Sequence, residues 1–355
     1  MRFRTLFQYA AVSLCCLLAW GFSLKQQHPS FAPPALLSEY GFFQGNMADQ
    51  APAAGVMPYQ LNTPLFSDYA QKLRFVKLPP GKQAAYHDTQ VLDFPVGSML
   101  IKTFYYPYDE RKPQKGRRLI ETRVLIHEAS GWKAYPYIWN EAQTDATLEV
   151  AGGRMEVKWT RANGKKQKLE YVVPNVNECK GCHSYDGAFK PIGPTARQLN
   201  GDFPYPEGAQ NQLLKWQQAG LLAGLPELEQ VPRIAVWNDP ATGDLNSRAR
   251  AWLDINCAHC HNPHGPANTS GLFLDIHQPD GSAALGVMKP PVAAGRGAGD
   301  SQYDILPGQP DASILMFRIA SNDPGIRMPE IGRKLVHEEG VALIREWISS
   351  MQPAR

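Results

Sequence analysis

The sequence predicts an α+β protein, an antiparallel β-sheet domain followed by an all-α domain. Between residues 58 and 205, short alternating runs rich in β-branched and aromatic residues recur between turn signals. Between residues 244 and 355, apolar side chains return at helical spacing near both ends of the segment. A helix-like stretch at 206–243 joins the two, a linker spans 25–57, and residues 1–24 stand apart as a leader.

Arg2 and Arg4 precede an apolar run from Thr5 to Leu24, the pattern of a secretory signal or signal anchor. Export follows, into a periplasm where the cell has one. Ala19-Trp20-Gly21 is a poor cleavage site, so an uncleaved anchor in the inner membrane stays open as an alternative. Cys15 and Cys16 lack the small residues of a lipoprotein site and read as apolar filler.

After the linker, strands are expected at Leu73–Leu78, Thr89–Phe94, Met99–Tyr106, Leu119–His127, Lys133–Trp139, Met155–Trp159 and Leu169–Val173, with a hairpin turn at Asn163-Gly164. This sheet is expected to lead into Cys179 from a strand. A connecting helix at Gln210–Leu222 would pack between the halves through Leu213, Leu214, Trp216 and Leu221. Asn246 or Ser247 can cap a helix that carries Ala249, Trp252 and Leu253 into Cys257, and His337–Met351 places Val341, Ile344, Ile348 and Met351 on one face.

The chain has 355 residues, 43% of them hydrophobic, enough for substantial cores. A net charge of +3 without a long basic stretch argues against a nucleic-acid partner. Thirty prolines and thirty glycines imply long irregular segments, as where backbone wraps a cofactor.

Beyond the leader, four cysteines remain, and all fall into two Cys-x-x-Cys-His units: Cys179, Cys182, His183 and Cys257, Cys260, His261. Zinc-binding cysteine pairs usually lie roughly 12 to 20 residues apart, whereas 74 residues separate Cys182 from Cys257. A thioredoxin-like pair does not require the following histidine, which here occurs twice. Covalent haem attachment accounts for both units, because each thiolate adds to a vinyl group and the adjacent imidazole binds the iron. The expected cofactors are therefore two haems c.

The C-terminal segment resembles a small class I cytochrome c, in which the distal ligand is a methionine late in the chain, commonly followed by proline. That resemblance implies Met328, followed by Pro329, for the second haem, with Met316 and Met288 the other thioethers in the segment. A neutral sulfur favours ferrous iron and raises the potential into a range useful for electron relay. Arg296, in the loop from Lys289 to Gly299, is a candidate partner for a haem propionate, or an exposed loop arginine. His259 and His264 flank the motif and are expected at the surface or at a propionate. For the first haem, His127, His87, Met99 and Met155 are candidate sixth ligands, or the iron has none from the protein. The basic residues Arg111, Lys112, Lys115, Arg117 and Arg118 read as a solvated hairpin tip, with docking of an acidic redox partner as a second reading.

Helices bracketing the Cys257 motif, with Met328-Pro329 late in the chain, resemble a small class I cytochrome c. Five segments, Leu61–Tyr69, Phe94–Ser98, Trp139–Asp145, Asn256–His261 and Lys289–Gly295, make the whole exported part similar to a family of bacterial di-haem c-type cytochromes of undefined physiological role. The resemblance implies that relatives often carry cysteine where Met288 stands, and any disulfide they make there is absent from this chain. The sheet half, through Phe94–Phe104, Gly131-Trp132, Cys179–His183 and Phe189, is fainter in its similarity to cytochrome P460 and cytochrome c′-β. That similarity implies an open distal side and singles out Lys102 as the position of a lysine cross-linked to haem.

These readings lead to periplasmic electron transfer with a soluble or membrane redox partner. The alternative is a haem enzyme or gas-binding protein whose first haem is open and whose second serves as electron port. A third reading makes the sheet a docking module for another exported protein.

Overall fold

The structure is a computed structural model that describes residues 31–292 and 294–352. The expected leader, with Cys15 and Cys16, lies outside the described residues. Alternation of side chains between two faces produces a single six-stranded antiparallel sheet. Its strands are β1 (Val56–Tyr59), β2 (Gln71–Lys77), β4 (Met99–Pro107), β5 (Arg117–Glu128), β6 (Gly131–Trp139) and β7 (Ala146–Leu148), in spatial order β1-β2-β4-β5-β6-β7. The two-residue β3 (Ala84–Ala85) pairs in parallel with Leu222–Ala223 instead. β8 (Gly153–Thr160) and β9 (Lys166–Val173) form a separate hairpin, whose turn uses Gly164 at φ +83°.

One face of the sheet presents Ile101, Val124, Ile126 and Tyr137 to Leu37, Phe42 and Phe43 of the preceding segment. The opposite face has two apolar blocks. Val76, Leu100, Leu125 and Ala134 pack against Leu199, Leu213 and Trp216, while Phe104, Tyr106 and Ile120 are covered by Val157, Trp159 and Tyr171 of the hairpin. Each large apolar side chain buried in this way contributes roughly 1.5–3 kcal/mol relative to exposure. Between the blocks runs a polar row, Arg74 opposite Lys102 and Lys102 opposite Arg123 in register.

The helices are α1 (Val176–His183), α2 (Ala196–Leu199), α3 (Gln212–Gln218), α4 (Leu245–Cys257), α5 (Ile314–Ile319) and α6 (Glu338–Ser350). They correct the expected architecture, since residues 244–355 do not form an all-α class I cytochrome c domain. Among the described residues there, only α4, α5 and α6 are α-helical, and the others are 3-10 turns and irregular backbone around one apolar cluster. Nor is the segment self-contained, because Pro33–Arg355 is one compact unit. Phe66 N–H donates to Asn256 Oδ1 at 2.8 Å, and Arg161, itself buried, pairs with Glu338 and Glu339 at 2.9 and 2.6 Å. The amphipathic ends of the segment spell helices correctly, but its middle is punctuated by proline and glycine, which break helical hydrogen bonding.

Two local expectations also change. Residues 89–94 make only isolated bridges at Val91 and Asp93. Cys179 is reached from a helix, α1, because Asn175 caps it two residues after β9 ends.

Candidate functional site

α1 begins with a reciprocal cap. Asn175 Oδ1 accepts the N–H groups of Asn177 and Glu178, each at 2.9 Å, and Glu178 returns a carboxylate oxygen to Asn175 N–H at 2.8 Å. The helix lays Cys179 against Leu125 and Ala134 of the sheet and ends on His183. His183 Nδ1 lies 2.8 Å from the Lys190 carbonyl and its ring stacks on Phe189 at 4.9 Å between centroids. A carbonyl can only accept, so Nδ1 carries the proton and Nε2 keeps its lone pair. Burial, aided by the Lys102 charge, pushes this imidazole down to about 3. It is neutral at physiological pH, the form that binds a metal.

The second motif closes α4. Asp244, rather than Asn246 or Ser247, is the cap, accepting Ser247 N–H at 2.7 Å. The chain then turns tightly, Cys260 and His261 both donating to the Cys257 carbonyl at 3.1 and 2.9 Å. His261 Nδ1 lies 3.4 Å from Ser270 Oγ, and burial pushes its imidazole down to about 4. Burial also pushes the Cys257 thiol up to about 12 and raises Cys179.

The two motifs meet. The ligand atoms of Cys182, His259 and Cys260 lie within 4.8 Å of one another. Their hydrogen bond lets one sulfur of the Cys182–Cys260 pair shed its proton before the other, with Cys182 the lowered partner. All four motif cysteines are free thiols. A cavity of about 650 Å³ opens on Cys257, Cys260 and His261, and one of about 340 Å³ opens on Cys179, Cys182 and His183. Cys182, Asn256, His259 and Met328 line both. Cavities of this order accommodate cofactor-sized ligands.

The other expected residues fall as follows. Met328 lines both cavities, held by Arg333, whose Nε and Nη2 donate to the Met328 carbonyl at 3.0 and 2.7 Å. Met316 is buried in the apolar cluster around α4 and α6. Arg296 is exposed, pairs with Asp323 and does not line the larger cavity. His259 is not at the surface, and its Nδ1 is buried without a hydrogen-bond partner. His264 pairs with Asp186 at 3.0 Å and stacks on Tyr185, joining the segments that follow the two motifs.

None of His87, His127, Met99 and Met155 lines the cavity beside His183. His127 is engaged elsewhere, 2.7 Å from the Phe94 carbonyl and stacked on Trp132. Lys102 does line it, with burial and the nearby Arg123 and Arg74 charges pushing its ammonium down to about 7. His337 lines it as well, accepting the Trp252 indole N–H at Nδ1 at 3.0 Å, which leaves its proton on Nε2.

The roles of Arg333, Asp68 and His337 were invisible to sequence reasoning: Asp68 falls in the Leu61–Tyr69 segment without being singled out, the other two sit in no motif, and each acts across more than 80 residues or through backbone carbonyls. No protein-family model, curated protein or solved structure matches this chain.

Proposed function

We propose that this protein is an exported di-haem c-type cytochrome acting in periplasmic electron transfer, with haem at Cys179/Cys182/His183 and at Cys257/Cys260/His261. The observation that carries the reading is the convergence of the two motifs, with Cys182 and Cys260 inside one cluster no wider than 4.8 Å and with cavities that share lining residues. The residues fit the group: reduced cysteine pairs, each followed by a neutral imidazole whose Nδ1 faces a carbonyl or hydroxyl, beside space of the right order. Haem iron, when bound, takes up and releases single electrons.

The chain's own contribution is to hold the two attachment sites side by side on α1 and the end of α4, to present Met328 to both cavities through Arg333, and to keep both imidazoles neutral. The basic, apolar leader supports export, and a soluble or membrane redox partner would deliver the electrons. Among the described residues no helix is long and apolar enough to cross a membrane.

A zinc site at Cys182, His259 and Cys260 is the competing use of the cluster, since two thiolates and an imidazole suit that metal. It leaves Cys179, Cys257, His183 and His261 without a role. Denaturing mass spectrometry of protein from a host with haem-attachment machinery decides between them. Two covalent haem additions are expected, falling to one in Cys179→Ser/Cys182→Ser. An unmodified chain that loses zinc to a chelator would overturn the haem reading.

A second reading has its own support. None of His87, His127, Met99 and Met155 lines the cavity beside His183, so an iron there is open wherever Met328, His259 and His337, which do line it, leave it unbound, and with an open iron come gas binding or oxidoreductase activity. A large change in the reduced absorption spectrum on adding carbon monoxide would favour it, and an unchanged spectrum would favour the electron carrier.

A further inference from the structure

The smaller cavity holds more positive charge than its carboxylates answer. Three cations gather on Phe104, itself buried in the sheet: Arg123 at 4.4 Å, Lys102 at 5.2 Å and Lys72 at 5.7 Å from the ring centroid. Arg74 adds a fourth, next to Lys102 in register.

The one carboxylate in this group is Glu121, which is fully buried, bound by Arg123 at 2.7 and 2.6 Å and by the Tyr171 hydroxyl at 2.6 Å. Asp68 approaches from the neighbouring loop, but its Oδ1 already accepts two backbone N–H groups, from Lys334 and Leu335. Lys72 donates to the Leu65 carbonyl at 2.8 Å. Among the described residues, the Lys102 ammonium has neither a hydrogen-bond nor an ion-pair partner, only the Phe104 ring. Its position and that of Arg123 on the cavity wall leave their open sides toward the space in front of Cys179 and His183.

Like charges gathered at low dielectric repel, and an anion between them relieves that repulsion and the unmet hydration of Lys102 together. A ring face also draws cations in, but it supplies less than a counter-charge does. We propose that Lys102 and Arg123, backed by Lys72, form a binding site for a small carboxylate or oxoanion at the wall of the smaller cavity.

Two sources share that chemistry: a free small anion, and the carboxylates of a haem held at Cys179 and Cys182. The first stands whether or not haem is attached, and the second rests on the haem reading above.

Calorimetric titration of the purified full-length protein with formate and with sulfate tests the site. For a free anion, binding at one site is expected, weakened at least tenfold in Lys102→Met, kept in Lys102→Arg, and weakened to a lesser degree in Lys72→Met, which lies off the cavity wall. For cofactor carboxylates, the wild-type protein binds neither probe, and Lys102→Met shifts the carboxylate bands of the redox infrared difference spectrum. The proposal is overturned by binding that Lys102→Met leaves intact, or by the absence of binding together with unchanged infrared bands. Haem content, read separately by mass, shows whether the cofactor reading has failed instead.

Discussion

Arg333 holds the backbone of Met328 by its carbonyl oxygen, with Nε at 3.0 Å and Nη2 at 2.7 Å, while Nη2 also reaches the Ser321 carbonyl at 3.0 Å and Nη1 the Leu335 carbonyl at 3.2 Å. One buried guanidinium thus gathers three irregular stretches of backbone around the methionine that both cavities share. Where a regular element would supply main-chain partners, this loop takes them from a side chain.

Arg333→Met should therefore loosen Met328 without touching it. Several charge-assisted hydrogen bonds are lost, and a destabilisation of about 3 kcal/mol is expected. If Met328 binds iron, the sulfur-to-iron charge-transfer band should fade and the midpoint potential fall in this variant, as in Met328→Ala. Chemical denaturation and a redox titration check both halves. An unchanged band with lowered stability would confine Arg333 to a structural role.

Asp68 makes the corresponding tie between the sheet half and the C-terminal segment. Its Oδ1 accepts the N–H groups of Lys334 and Leu335, both at 2.7 Å, and its carbonyl accepts the buried Tyr106 hydroxyl at 2.8 Å. Asp68→Ala leaves two backbone donors unmet and should cost about 2–4 kcal/mol, whereas Asp68→Asn keeps an acceptor oxygen and should cost about 1 kcal/mol. The urea midpoint of each variant checks the order, and equal effects of the two substitutions would refute the role given to the oxygen.

His337 makes stability depend on pH. Its ring stacks on Phe66 at 4.3 Å and its Nδ1 accepts the Trp252 indole N–H, and burial pushes its imidazole down to about 4. In the unfolded chain the group protonates near the ordinary value of about 6.5. Between those values the unfolded state binds more protons, so stability is full above about pH 6.5 and is lost as pH falls toward 4, by on the order of 3 kcal/mol in all. Denaturation of the haem-loaded protein at pH 7 and at pH 4.5 should show this loss, and His337→Gln should remove most of it.

Much of the sheet was legible in the sequence because strand signals are local. The runs around Leu73, Met99, Leu119, Lys133, Met155 and Leu169 became β2, β4, β5, β6, β8 and β9, with boundaries displaced by no more than three residues. The helical character of α4 and α6 was legible for the same reason. What failed was the extrapolation from those two helices to an all-α domain, since apolar spacing at the ends of a segment says nothing about how its proline- and glycine-rich middle is satisfied.

By itself the sequence determined where the candidate chemistry lies: four cysteines after residue 24, in two pairs, each pair followed by histidine, behind a basic and apolar N-terminus. Covalent spacing is written along the chain, so it survives without a fold. Tertiary structure alone decided that Cys182 and Cys260 adjoin, that His259 turns inward between them, and that Lys72, Lys102 and Arg123 crowd one aromatic ring. Those relations join β2, β4 and β5 at one place and α1 with the turn after α4 at another, the latter across 78 residues from Cys182 to Cys260. Strand register and the packing of irregular backbone on the sheet set them, and no local pattern of residues encodes either.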